Sequence, residues 1–258
     1  MKFLIQTVQG RIIHDFNLEL YNSLDYQKNW KGNDVSIVFS ELSDIPNLRE
    51  KYPDIASYVP SGTIEFVFKF IDTYLGSGLS KLVCPIEAID PDTHCFYKKE
   101  YLLDFIKEHK DDYREGVFIK SGTKFKAPVN DRYTCSDSRL KDLPEDRYQL
   151  KPYYPDICQE FRAFVYSGRI LDIKRYSYDS RNCLYGYKLD KDFVDDCVKR
   201  FSYLPAFTID FGICKGNKTI LLEVHELFSC GTYGFSDYEH YPWMLERAFT
   251  NLINDIIP

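Results

Sequence analysis

The stretch Ala206-Phe207-Thr208-Ile209-Asp210-Phe211-Gly212-Ile213-Cys214, then Lys215-Gly216-Asn217, then Lys218-Thr219-Ile220-Leu221-Leu222-Glu223-Val224-His225 reads as a β-hairpin. Two runs rich in aromatic and β-branched residues flank a Gly-Asn pair, and such a pair supplies the positive φ that a tight turn between strands needs. A two-residue Gly216-Asn217 loop would set Lys215 against Lys218, Asp210 against Glu223 and Thr208 against His225. Strand side chains alternate, so Asp210, Glu223, Thr208 and His225 share one face. Phe207, Ile209, Phe211 and Ile213 with Ile220, Leu222 and Val224 make the other face, which is core. Carboxylates directly opposed on a sheet lie with Cβ atoms about 4.5–5.5 Å apart and repel one another. A divalent cation between them, or a proton on one, relieves that repulsion. With oxygen donors and no thiolate, Mg²⁺ is the natural ion. The plainer reading is a solvated acidic face neutralised by nearby lysines.

Outward from this hairpin, the chain of 258 residues has room for one large domain or closely joined lobes. Its 21 Tyr and 19 Phe are enough for a substantial core. The net charge of −6 argues against broad nucleic-acid binding, which needs a basic footprint. None of the eight Cys forms a Cys-x-x-Cys pair or a Cys/His spacing that fits zinc. The start lacks the apolar stretch of a signal peptide, and no run approaches membrane-spanning length, so the expected setting is cytoplasmic with reduced thiols and no membrane partner.

Phe3–Val8 and residues 35–39 read as buried strands. Helical spacing marks 63–75, 98–109, 190–201 and 241–256, while 82–89 and 117–120 read as extended. Residues 125–144 read as a polar loop. A second hairpin joins Ile157–Tyr166 to residues 169–177 through Ser167-Gly168, setting Glu160 against Arg175 and Arg162 against Ile173. Helices mixed with antiparallel hairpins predict an α+β architecture. Pro144, Pro152 and Pro155 place a lobe boundary between 141 and 155, which divides the chain into 1–80, 81–145 and 146–258.

Two further clusters carry cations. Lys120-Ser121-Gly122-Thr123-Lys124 ends a strand in a Gly-containing loop, which can bring ammonium and backbone N–H groups to phosphates. It lacks Walker A spacing, and solvated lysines in a turn explain it equally well. In Gln159-Glu160-Phe161-Arg162, a cross-strand salt bridge from Glu160 to Arg175 is the structural reading. The functional one has Arg162, with Lys174 or Arg175, meeting a triphosphate or acyl phosphate, because a guanidinium fork suits phosphate.

Taken in order, Phe118-Ile119-Lys120, Glu160-Phe161-Arg162-Ala163-Phe164-Val165, Ile209-Asp210-Phe211-Gly212 and Leu222-Glu223-Val224-His225 resemble the ATP-grasp superfamily. The tail Ser229-Cys230-Gly231-Thr232-Tyr233-Gly234 and the upstream Pro60-Ser61-Gly62-Thr63-Ile64-Glu65-Phe66-Val67 are similar to a clade of small bacterial and phage ATP-grasp proteins. The resemblance spans roughly residues 60–235. It implies two α+β lobes clasping ATP, preceded by a small N-terminal α/β lobe. Lys120 would contact phosphates, assisted by Lys124 or Lys126. Adenine would sit near Gln149, Leu150 and Lys151, held by backbone groups, with Glu160 on the same nucleotide-binding side. Arg162, with Lys174 or Arg175, would face the γ-phosphate or the substrate. Asp210 and Glu223 would hold Mg²⁺.

The family places Asn two residues after the metal Glu, where this chain has His225. An imidazole there shifts preference toward Mn²⁺, weakens the second metal or impairs the site, unless His225 is purely structural.

The implied activity is Mg-ATP-dependent carboxylate ligation through an acyl phosphate attacked by an amine or thiol, with a peptide or protein among the conceivable acceptors. The alternative is a nucleotide-binding assembly factor of the cell-division-cycle ATP-grasp type, which would capture a protein partner without turnover.

Overall fold

The computed structural model describes residues 3–8, 11–12, 17–20, 24–25, 37–40, 50, 53, 57–60, 93–121, 129–146, 148–178, 187–225, 227, 233–237 and 240–254. The helix expected over 63–75, the extended run 82–89 and most of the 60–67 motif lie outside them.

Six N-terminal strands, β1 (Phe3–Val8), β2 (Arg11–Ile12), β3 (Asn17–Leu20), β4 (Leu24–Asp25), β5 (Ile37–Ser40) and β6 (Ser57–Pro60), form one sheet in the order β4-β3-β1-β5-β6, with β2 also paired to β1. β5 runs parallel to both β1 and β6.

The central sheet, order β7-β10-β8-β9, combines β7 (His94–Phe96), β8 (Val117–Ser121), β9 (Asn130–Tyr133) and β10 (Tyr148–Pro152). Helix α1 (Lys99–Glu108) buries Leu102 and Ile106 against Val117, Ile119, Tyr148 and Leu150 of this sheet. Residues four apart lie on one side of a helix, so this pair makes the apolar stripe that docks. The stretch expected to be loop, 125–144, thus contributes β9 and a 3₁₀ turn over Ser138–Asp142. Its alternation failed as a strand signal because Asn130, Asp131 and Arg132 are exposed at the sheet edge, where only Tyr133 turns inward. β10 pairs with β7 and β8, so the polypeptide leaves the central sheet only after Pro152.

The C-terminal sheet, order β12-β11-β13-β14, comprises β11 (Ile157–Tyr166), β12 (Arg169–Tyr178), β13 (Ala206–Cys214) and β14 (Lys218–His225), all antiparallel. One face packs Ala163, Val165, Phe207, Ile209 and Phe211 under Val194, Cys197 and Val198 of α2 (Lys191–Arg200). Asp190 caps α2, its carboxylate accepting from the N–H groups of Asp192 and Phe193. On the other face Phe164 stacks on Phe235, centroids 4.4 Å apart, with Tyr241 at the start of α3 (Tyr241–Asn254) beside it. No helix among the described residues is long and apolar enough to cross a membrane.

Both hairpins form, with shifted registers. Ser167 and Gly168 adopt φ of 49° and 74°, a turn whose twist matches its strands. Irregularities after Glu160 and after Phe164 then set Arg162 against Lys174 and Glu160 against Ser177, correcting the expected Ile173 and Arg175 partners. In the second hairpin Cys214 pairs with Lys218, so the loop holds three residues, Lys215, Gly216 and Asn217. The Asn217 N–H donates to the Cys214 carbonyl at 3.1 Å, with Gly216 and Asn217 both at positive φ. A bulge between Asp210 and Phe211 restores the register: Phe211 opposes Leu221, whereas Asp210 opposes Glu223. The bulge also exchanges two leucines, so that Leu221 joins the core and Leu222 lines a cleft.

Candidate functional site

The inward face of the C-terminal sheet carries the charges. β13 presents Asp210, the adjoining β11 presents Arg162 directly beside it, and β14 presents Glu223 on the other side. The expected pairing of Asp210 with Glu223 is therefore present, and Glu223 meets Lys120. The counter-charges, however, are side chains. Arg162 donates from Nε to Asp210 Oδ1 at 2.8 Å and from Nη2 to Oδ2 at 2.7 Å. Only 7% of the Arg162 side chain and 2% of Asp210 reach solvent, so this fork is a buried ion pair. Glu223 instead meets Lys120, Nζ to Oε1 2.9 Å, across the gap between the central and C-terminal sheets.

Tyr176 and Tyr233 complete the cluster. The Tyr176 hydroxyl donates to Asp210 Oδ2 at 3.1 Å, and its ring lines the cleft with Glu160. Its ring stacks on Tyr233, centroids 4.7 Å apart at 16°. The Arg162 guanidinium carbon lies 5.4 Å from the Tyr176 ring and 5.1 Å from Tyr233, a cation over two aromatic faces. Tyr233 is held there by its own segment: Ser236 donates from N–H and Oγ to Asp172 Oδ2 at 3.0 and 2.7 Å, and Lys174 pairs with the same oxygen at 3.0 Å. Burial raises the Asp172 carboxyl, but these donors outweigh it and hold it below the usual range. Sequence reasoning missed both tyrosines. Only the Gly-x-Tyr-Gly tail flagged Tyr233, and nothing local distinguishes Tyr176 from the other tyrosines of the chain.

A cleft of about 790 Å³ opens between the sheets, lined by Lys120, Lys151, Glu160, Tyr176 and Glu223 among others. Gln149 pairs in register with Lys120 and is buried. Leu150 opposes Ile119, and its side chain belongs to the central core, leaving only its backbone for ligand contact. Lys151 Nζ donates to the Leu221 carbonyl at 2.9 Å, so the strand expected near the adenine is tied to the bulge beside Glu223. Lys174 shares the Arg162 face. Arg175 is exposed and pairs with Phe161, which alternation puts on the opposite face from Arg162. Lys124 and Lys126, and the side chain of His225, lie outside the described residues.

Glu160 is raised above the ordinary carboxylate range. Burial is the main cause, the Tyr176 hydroxyl offsets part of it, and the negative charges of Asp210 and Glu223 add to it. A carboxyl whose folded-state value is raised binds its proton more tightly when folded, so its contribution to stability falls as pH rises above the ordinary carboxylate range. Glu160→Gln removes that ionisation. The difference in melting temperature, variant minus wild type, is expected to become more positive from pH 4 to pH 7. A flat difference would show that Glu160 ionises without cost.

Glu160, Asp210 and Glu223 supply hard oxygen donors, the chemistry that suits Mg²⁺. In the present arrangement no three acidic, His or Cys side chains among the described residues converge on one point. Arg162 and Lys120 hold Asp210 and Glu223 to themselves, while Glu160 and Glu223 reach the cleft wall and Asp210 stands behind Tyr176. The residues thus fit a hard divalent cation by donor type, and the two side-chain cations occupy its role in balancing charge.

Antiparallel sheets facing each other across a charged cleft define an ATP-grasp fold, and a family model for that domain matches residues 96–242. The chain belongs to the ATP-grasp domains of R2K clade family 2. Among solved structures it is similar to D-alanyl-alanine synthetase A from Vibrio cholerae, at 14% identity over 95% of this chain and 84% of that one, with a TM-score of 0.45. It is also similar to the ATP-grasp ligase PsnB complexed with a minimal precursor, at 11% identity, 82% and 79% coverage and a TM-score of 0.45. A third is the macrocyclase MdnC bound with the precursor peptide MdnA from Microcystis aeruginosa, at 11% identity, 88% and 82% coverage and a TM-score of 0.43. No curated protein matches the sequence.

Proposed function

We propose that this protein is an ATP-dependent carboxylate ligase that forms an acyl phosphate and passes the acyl group to an amine or thiol. The observation that carries this reading is the meeting of Lys120, from one sheet, with Glu223, from the next, on the wall of one cleft, with the buried Asp210–Arg162 pair on the strands beside Glu223. ATP would lie in the cleft with its base toward β10, where the backbone at Gln149, Leu150 and Lys151 can recognise it. Lys120 would contact the phosphates. Arg162, fixed by two rings and by Asp210, would stabilise charge on a transferring phosphoryl group, and such fixed electrostatics are the main catalytic resource of phosphoryl transfer. Asp210, Glu223 and Glu160 would hold Mg²⁺, which when bound offsets phosphate charge. The chain would supply position and charge, and the reading requires no covalent nucleophile from it. The described cysteines form no disulfide, and Cys197 packs in the core.

Lys120→Ala is expected to weaken Mg-ATP binding about tenfold or more, measured by calorimetric titration, since a half-buried phosphate contact to a charged donor is lost. Unchanged affinity would remove the phosphate role. ADP release that rises on adding carboxylate and nucleophile together, screened across amines, thiols and peptides, supports ligation. Tight binding with no turnover under any acceptor would favour a nucleotide-binding assembly factor.

A further inference from the structure

We infer that Glu223 makes this site selective for metal-bound over metal-free nucleotide, by occupying the lysine that the phosphates need. The inference rests on the nucleotide reading above. Lys120 Nζ sits 2.9 Å from Glu223 Oε1, and both side chains are only partly exposed, 23% and 34%. Behind them, Arg162 is spent on Asp210 in the same way. Lys120 and Arg162 are thus each paired with a carboxylate that could take a metal.

A bare polyphosphate that reaches Lys120 competes with Glu223 for the ammonium and sets that carboxylate facing both the anion and the nearby charges of Glu160 and Asp210, which already press on one another. A polyphosphate that arrives with a divalent ion gives Glu223 a new partner in the same event. The metal-bound anion adds one opposite-charge contact, that of Glu223 with the metal, whereas the bare anion only trades one such contact for another and adds repulsion. Glu223 thus acts before any chemistry, as a filter against the metal-free anion, and that filter works only through Lys120.

The test titrates full-length wild type, Glu223→Gln, Glu223→Asp, Lys120→Met and the Lys120→Met/Glu223→Gln double variant with ATP, once in EDTA and once with excess Mg²⁺. Melting curves on the same samples report folding. Glu223→Gln is expected to bind metal-free ATP about tenfold more tightly than wild type, the scale of one charge-assisted hydrogen bond, and to lose most of the enhancement by Mg²⁺. Glu223→Asp, which withdraws the carboxylate by ~1.5 Å, should fall between the two. In the Lys120→Met background the gain from Glu223→Gln should shrink below about twofold. A folded Glu223→Gln with unchanged or weaker affinity in EDTA overturns the inference. So does a full gain that survives without Lys120, because that would be plain removal of negative charge. If Glu223→Gln does not fold, Glu223→Asp decides, and affinity in EDTA no tighter than wild type overturns it. Wild type that binds ATP in neither condition takes down the nucleotide reading and the filter with it, whereas wild type that binds only with Mg²⁺ leaves that reading standing whatever the variants do.

Discussion

Arg162→Met is expected to lower the unfolding free energy by about 3–5 kcal/mol, the range for removing one partner of a buried ion pair. The charge left behind is Asp210, 1% exposed as a residue and placed mid-strand with β11 and β14 on either side. It cannot turn outward to water without breaking a strand. Losing the fork also removes the cation that lies against the stacked Tyr176 and Tyr233 rings. Urea unfolding with an unchanged slope would measure the loss directly. Replacing both partners, as in Arg162→Met/Asp210→Leu, should recover most of it, since an apolar pair of similar volume carries no desolvation cost. A single-variant loss below about 1 kcal/mol would mean that water reaches the pair and that the site is looser than its geometry indicates.

Asp210→Asn is expected to reduce ATP turnover by about 100-fold or more while the protein stays folded. The amide keeps the size of the carboxylate and still accepts from Arg162, but it carries no charge for a divalent ion or for the guanidinium. Two effects then act together. The proposed metal ligand becomes a weak one, and Arg162 loses the anion that fixes its direction. ADP release at saturating Mg-ATP separates them from weakened binding, because a purely positional loss would appear in kcat with KM little changed. Turnover equal to wild type would remove Asp210 from the metal assignment altogether.

How much of this was legible beforehand depends on the scale of the signal. β11, β13 and β14 carried their bounds in plain alternation and turn residues, and the facing of Asp210 and Glu223 followed from counting back from Gly216-Asn217. That count succeeded through two departures that offset each other, a loop one residue longer and a bulge one residue deep. In the first hairpin the turn formed as expected, but two irregularities along β11 accumulated without cancellation, and so Glu160 and Arg162 acquired other partners. Bulges carry little local sequence signal, because the extra residue is chosen by what packs on either face of the finished sheet. The edge strand β9 was illegible for a related reason, since it has almost no buried face to impose a period.

What the residues alone determined is strands β1, β5, β8 and β11 to β14, the alternation of the C-terminal hairpins, the order of the cationic and acidic motifs and, through that order, the ATP-grasp family. These are local or nearly local properties, written at spacings of two, four and a turn's length. Which charge neutralises which was decided only by tertiary structure. Lys120 and Glu223 are far apart in the chain and meet because separate sheets face one cleft, and Tyr233 covers Arg162 because Asp172 catches Ser236. Electrostatic pairing depends on distance and dielectric in three dimensions, and neither is defined until the sheets have packed.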